Sequence, residues 1–558
     1  MPTMLELFAQ TASTLPIPRV GYGAIVALII FIAASMWIGI LANAATRDGS
    51  FLKGFFLGNR GLGSWALALT ATVQSGGTFM GFPSLVYTHG WSVALWIASY
   101  MVVPITGFAI LGKRFAQLSR RTGAITIPDL FRERFGSPRL GLVASLFIMF
   151  YMSFMMVAQF KAGALVMKLA WPGNTSLALV EDAAGGLDTA YYVGLAIFTV
   201  TVVGYTLLGG FLAAVWTDLF QSVMMFFGVV ILLLLTMSAA GGLEHATLEA
   251  VKQTGPGFVF GPGYDPKHEG RDFMPLGLAV SFFFAWVFSG FGSPAGMVRV
   301  MATNSTATIR HSIFLLSGYN AFIYIPLIMI CICGRALIPD LPPGKTDEII
   351  PRLAILTTAG LPCGSFLAGL ILAAPFGAVM ATVSSYLVVI ASGLVRDVYQ
   401  QFIAPDANER ELRRISTVVM IGVGLIAIAA NIRPVAYLQA IVVFSGTGAA
   451  STFCVPALMI AYWRRATVPG ILASMFTGAV TLVTLYVVGF LGVMGDQMIG
   501  QVTKFRPYYL GQLDPLLWGL CASLLAGVVV SLITAPPDAA RVSRLFDAPP
   551  PAEQPSAV

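Results

Sequence analysis

Runs of about twenty apolar residues recur along the whole chain, and nothing else in the sequence limits its fold so severely. A hydrocarbon core is crossed by roughly 20 helical residues, and within it only helices or closed barrels satisfy their own backbone. Counting such runs gives thirteen spans, at 20–44, 65–87, 91–111, 140–167, 190–208, 211–239, 275–298, 313–334, 364–394, 415–431, 435–462, 467–492 and 514–535. The expected class is an all-α membrane protein. Composition agrees, since 57% of the 558 residues are hydrophobic and 10% are charged, far from the balance of a soluble domain. The first run is longer than a signal-peptide core and follows a single basic residue, Arg19, so it reads as a retained span. Five cysteines without metal-ligand spacing read as small core residues.

Lysine and arginine test the count, because they gather on the cytoplasmic side of a correctly ordered set of spans. With the N-terminus outside, the cytoplasmic segments hold 20 of the 32 and the external segments 11, leaving Lys161 within a span. Asp218 is the one carboxylate within a span. The C-terminus falls in the cytoplasm, and the multi-pass chain belongs in a plasma membrane. The parsing that follows is an N-terminal segment over 1–64 with an extra span and a cytoplasmic loop, a five-helix repeat over 65–239, an external loop over 240–274, a second five-helix repeat over 275–462, two further spans over 463–535, and a disordered tail over 536–558. Short helices are expected near 243–252 and over 347–358, the latter amphipathic on the outer surface.

Two spans are interrupted. Thr70 to Pro83 reads TATVQSGGTFMGFP, and Ser289 to Gly296 reads SGFGSPAG. Broken helix at membrane depth survives only where protein or a cavity satisfies the freed backbone. Paired breaks at matching places in two halves point to the binding site of an inverted-repeat transporter. The groups in the breaks are hydroxyls, amides and bare backbone, which select a hard cation of low charge bound by oxygen. No histidine falls within a predicted span, so neither a zinc site nor a histidine proton relay is indicated. The partners implied are the lipid bilayer, a cation and a small-molecule solute, with no nucleic acid and no obligate protein partner.

Four longer patterns carry a resemblance: FFLGNRGLGSWALALTATVQSGG from Phe55, YTLLGGFLAAVWTDLFQ from Tyr205, W-x4-F-G-x-P-x4-R-x-M-A from Trp286, and AAPFGAVMATVSSYLVVIASGLVRDVYQ from Ala373. Over about Gly54 to Gly478 the chain resembles the sodium:solute symporter family, with its leucine-transporter type 5+5 inverted repeat. The resemblance implies Na+ as coupling ion. It assigns the shared sodium site to backbone carbonyls of Ala71, Gln74 and Ala378 and to residues Ala381 and Thr382, where Ala381 lacks the hydroxyl usual in the family. It assigns a second sodium site to Asp218, Ser384 and Ser385. An intramembrane carboxylate is by default a functional residue; the competing reading of Asp218 is a helix-end acid near the interface.

For solute, the resemblance points to the two breaks: Ser75, Gly76, Gly77 and Thr78 in the first, and Trp286, Ser289, Gly290, Ser293 and Pro294 in the second. Gln159 and Lys161 in the fourth span are further candidates. Lys161 either snorkels to the interface or meets a solute carboxylate. Trp286 either gates solute or packs in the core. Patterns such as Cys333 to Leu341 look closest to the pantothenate branch, which implies a small organic anion such as pantothenate, with a monocarboxylate, an amino acid or a sugar as alternatives. The expected function is sodium-coupled symport, without enzymatic chemistry. The rivals are a channel-like facilitator, a sensor on a transporter scaffold and a polytopic enzyme; Asp218 and Lys161 alone do not make a convergent catalytic set.

Overall fold

The computed structural model describes residues 20–44, 62–71, 75–172, 189–262, 275–303, 305–339, 341–434, 438–492 and 505–547. Among them all regular structure is helical, with one isolated parallel bridge between Leu62 and Thr303. Among the described residues eleven helices are long and apolar enough to cross a membrane.

The thirteen runs of the sequence map onto these eleven plus two segments assembled from shorter pieces. Helix α1 covers Tyr22–Ala44. The run at 65–87 consists of α2, Ser64–Ala71, and a π-helical turn over Gly77–Gly81 that continues into α3, Phe82–His89. The run at 91–111 is α4, Ala94–Val103, followed by a π-helical stretch from Pro104 to Gly112. Proline lacks the N–H that the regular ladder needs at that point, and a widened helix accommodates the loss.

Two short helices follow, α5 over Lys113–Thr122 and α6 over Ile127–Phe135, before the long α7, Pro138–Ala170. They carry five arginines, Arg114, Arg120, Arg121, Arg132 and Arg134, which make theirs the arginine-rich end of the bundle. The next two runs form one element, α8, Thr189–Ala239, bent at Gly210, whose φ of 58° and ψ of −147° suit only glycine.

In the second half, α9 spans Leu243–Thr254, as the sequence led one to expect. The second break lies where it was read: α10, Leu276–Gly292, stops, Ser293 turns extended and caps α11, Pro294–Met301, by accepting from Gly296 N–H at 3.4 Å. Proline at the first helical position fits that start. Then come α12, Thr306–Leu337, a 3-10 turn over Pro343–Glu348 and α13, Ile349–Thr358. Here the structure differs from the expected surface helix, because Ile349, Ile350, Leu353 and Ala354 are buried against the bundle.

Helix α14 spans Gly364–Ser392 and runs on as a π-helix to Ile403; α15 spans Glu409–Ala430, α16 Leu438–Tyr462, α17 Val468–Leu491 and α18 Pro515–Ile533. Burial separates centre from periphery: the spans containing α14 and α16 are 83% and 89% buried, those of α15 and α18 28%. Helix α1 reaches the centre through small residues, since a Cβ on Gly23 would come 2.7 Å from Phe366 N on α14. Close backbone contact of this kind replaces the hydrophobic drive that lipid cannot supply.

The tail is not wholly disordered. A final helix, α19, covers Ala539–Phe546 and is capped by Asp538. Its low apolar content hid two anchors, Leu545 and Phe546, which pack against the arginine-rich end. Residues 548–558 lie outside the described set.

Candidate ion and solute site

The first break is held by hydrogen bonds to its own backbone. Gly77 N–H donates to Ser75 Oγ at 3.1 Å, Ser75 N–H to Thr78 Oγ1 at 3.2 Å, and Gly76 N–H to Gln159 Oε1 of α7 at 2.7 Å. Gln159 is wholly buried and its amide donates on to Met155 Sδ at 3.3 Å. Gly76 must be glycine, because a Cβ would lie 2.6 Å from the Ala162 methyl. The hydroxyl of Thr78 meets that of Tyr324 on α12 at 3.1 Å. Thr72 to Gln74 lie outside the described residues, so the carbonyl assigned to Gln74 is not located; Ala71 is the last residue of α2.

An aromatic stack connects this break to the second. Tyr324 stacks on Tyr100 with centroids 3.9 Å apart, and Tyr100 stacks on Trp286 at 5.2 Å. Trp286 therefore packs, as one reading held, but its buried indole N–H finds no acceptor among the described residues. Ser289 returns its hydroxyl to Ala285 O at 2.6 Å, and Gly290 sits against Gly107 on the π-helical stretch. Gln439, at the start of α16, was not singled out from the sequence. It is 2% exposed, a Cβ on Gly81 would meet its amide carbon at 3.1 Å, and neither amide atom has a partner among the described residues. A buried unsatisfied amide costs free energy unless something else satisfies it. Ser293 and Pro294 are not part of this group; they face Phe115, Phe131 and Phe453 toward the arginine-rich end.

The assigned sodium ligands lie nearer that end. On α14, Thr382 Oγ1 donates to Ala378 O at 3.0 Å, while Ser384 and Ser385 both donate to Ala381 O, at 3.0 and 2.7 Å. Ser384 also approaches Asp218 Oδ1 of α8 at 3.5 Å. Asp218 is 1% exposed, enclosed by the bundle. Its partner is Arg299, 2% exposed, whose Nη2 pairs with Asp218 Oδ2 and donates to Ser385 Oγ at 2.7 Å. The sequence count left Arg299 one residue beyond its span; α11 runs on to Met301 and takes it inside. Its flanks, Met297, Val298, Val300 and Met301, were the available signal. Gln221, one turn along α8, is fully buried and faces the Tyr205 hydroxyl, with neither amide atom in hydrogen-bond geometry.

Lys161 does not snorkel. It is 6% exposed, and its Nζ lies 2.8 Å from Asp347 Oδ2, which also accepts Leu438 N–H at 3.1 Å. Asp347 sits in the 3-10 turn before α13, so the lysine is engaged by a strap crossing the end opposite the arginines. Ser84 of α3 joins that strap through Thr346 at 2.5 Å.

A profile of the Sodium:solute symporter family matches residues 55–478. The chain belongs to that family. The Sodium/pantothenate symporter of Escherichia coli K12 is 30% identical over 83% of this chain and 90% of its own length. The Sodium/proline symporter of the same organism is 27% identical over 84% and 89%. Among solved structures, a Na+-coupled sialic acid symporter in a substrate-bound outward-open state superposes with a TM-score of 0.67 at 18% identity, covering 93% of this chain and 99% of that one, so the fold is shared. The protein is a multi-pass membrane transporter that couples a small solute to Na+, and it is no enzyme. The donor set fits that ion: the carboxylate of Asp218, the hydroxyls of Thr382, Ser384 and Ser385 and the carbonyl of Ala378 belong to buried residues, with no sulfur or imidazole among them.

Proposed function

We propose that this symporter imports a small organic anion, pantothenate or a close chemical relative, across the plasma membrane with the sodium gradient. Similarity to pantothenate symporters at 30% identity over most of both chains supports that solute class. All thirteen runs cross the bilayer, arranged as a 5+5 inverted repeat, with the N-terminus outside and the arginine-rich end inside. Solute lies between the two breaks, against Ser75 to Thr78, Trp286, Ser289 and Gln439. Gln439 supplies an amide without a partner among the described residues, and the indole N–H of Trp286 supplies a donor.

Sodium is held by Ala71, Gln74, Ala378 and Thr382 at one position, and by Asp218, Ser384 and Ser385 at a second. At the second, Arg299 and sodium are alternatives. Both are cations for one carboxylate, and a buried carboxylate is stable only when paired. Sodium binding moves the guanidinium off Asp218, and sodium departure lets it return. Because Arg299 belongs to the half-helix after the second break, ion occupancy is communicated to the solute site. Coupling of this kind is reciprocal.

The observation that carries this reading is the Asp218–Arg299–Ser385 contact. Its test is Asp218→Asn in proteoliposomes loaded to present a sodium gradient. Uptake of labelled pantothenate should become less sensitive to external sodium, with half-saturation raised at least about tenfold, equivalent to about 1.4 kcal/mol. Unchanged sodium kinetics would remove Asp218 from the coupling site.

A further inference from the structure

The tail helix α19 docks in an unusual electrostatic setting. Its Phe546 ring is approached by three guanidiniums: Arg114 of α5 at 4.8 Å, Arg134 of α6 at 5.1 Å and Arg464, beyond the end of α16, at 5.4 Å. Arg121 of α5 donates to Leu545 O. Arg541, on α19 itself, presses its guanidinium against Gly136, where any side chain would collide with it. Five arginines from three parts of the chain therefore meet around one short helix.

Their compensation is incomplete. Asp547 gives both carboxylate oxygens to Arg464, at 2.5 and 3.3 Å. Arg114 reaches a backbone carbonyl, Ala461 O, at 2.9 Å, and Arg134 reaches Arg464 O at 3.5 Å. Arg134 is 1% exposed, yet its Nε and Nη1 have no partner among the described residues. Burial, then the charges of Arg541 and Arg114, push its guanidinium down to about 10. Stacking on aromatic faces offsets part of such crowding, but it uses the faces of the guanidiniums and leaves their N–H edges available.

We propose that the seam between α19 and the α5–α6 pair binds a phosphate-bearing anion, with Arg541, Arg134 and Arg114 as its ligands. Guanidinium forks match phosphate oxygens bidentately, and a tetrahedral dianion accepts from arginines converging from several directions, which a planar carboxylate already spent on Arg464 does not. The anion is either a phospholipid headgroup at the membrane edge or a soluble phosphate. Both neutralise the seam and fasten the tail to the loops that join the transport helices.

Tryptic cleavage at Arg544, which is exposed, reports release of α19 from full-length protein. In detergent, sodium phosphate is compared with sodium chloride at equal sodium concentration and ionic strength. In nanodiscs, phosphatidylcholine is compared with a phosphatidylcholine and phosphatidylglycerol mixture. An anion at ten times its dissociation constant should slow cleavage about tenfold. Protection by phosphate assigns a soluble ligand; protection only by phosphatidylglycerol assigns a headgroup. In either case Arg541→Gln, which changes a partly exposed side chain, must abolish the protection, and Arg134→Gln should do the same where it folds. No protection in either setting, or protection that survives Arg541→Gln, overturns the proposal.

Discussion

Two buried ion pairs stand toward opposite ends of the bundle, and each joins the first half of the chain to the second. At the strap end Lys161 of α7 meets Asp347; nearer the arginine-rich end Asp218 of α8 meets Arg299 of α11. They differ in company. Asp347 also accepts a backbone N–H from Leu438, a fixed donor. The Asp218–Arg299 pair has two hydroxyls beside it, Ser384 toward the carboxylate and Ser385 accepting from the guanidinium. On the proposed reading the pair at the strap is fixed, and the pair at Asp218 exchanges one cation for another.

Removing one cation from each pair tests that contrast most strongly. Arg299→Met leaves Asp218 buried and unpaired and should cost about 3–5 kcal/mol in potassium. Sodium should restore much of the loss by taking the vacated place, seen as a sodium-specific rise in melting temperature. Lys161→Met should cost a similar amount, about 3–5 kcal/mol, with no difference between sodium and potassium. An equal sodium response in the two variants would erase the distinction. For the pair at the strap the exchange Lys161→Asp with Asp347→Lys should recover part of the stability that either change alone removes.

Acid should act at the strap end. His89, just past the second predicted span, is held down at about 4 by burial. Its unfolded counterpart titrates near 6.5, so between those values the unfolded chain takes a proton that the folded one refuses. Stability is fully present above about pH 6.5 and is lost as pH falls toward 4, by about 3 kcal/mol at most. His89→Gln should flatten that stretch of the melting-temperature profile; an unchanged slope would place the acid sensitivity elsewhere.

The smallest effect concerns Ala381, where the resemblance implies a hydroxyl. Ala381→Ser should add one oxygen between the two sodium positions and tighten sodium half-saturation by about fivefold, near 1 kcal/mol. No change would mean that another group already fills that role.

The sequence made legible what depends on local chemistry. Both helix breaks were visible because glycine, proline and hydroxyl residues interrupt apolar runs, and Asp218 was visible because a carboxylate there is costly. What it concealed was pairing over distance. Lys161 and Asp347 are 186 positions apart and Arg299 and Asp218 are 81 apart, and no periodicity connects them. The same holds for Gln439, which reads as an ordinary polar residue at a helix start until Gly77 and Gly81 are seen to face it. The tail helix escaped notice because its two anchors fall within one turn, too short for a periodic signal.

The lone bridge between Leu62 and Thr303, with Leu62 N–H donating to Ala302 O at 3.3 Å, ties the entry to α2 to the exit from α11. The two half-helices are thereby yoked like paired leaves on a single hinge pin. Neither swings aside alone without breaking the seam, so a movement of one carries the other with it.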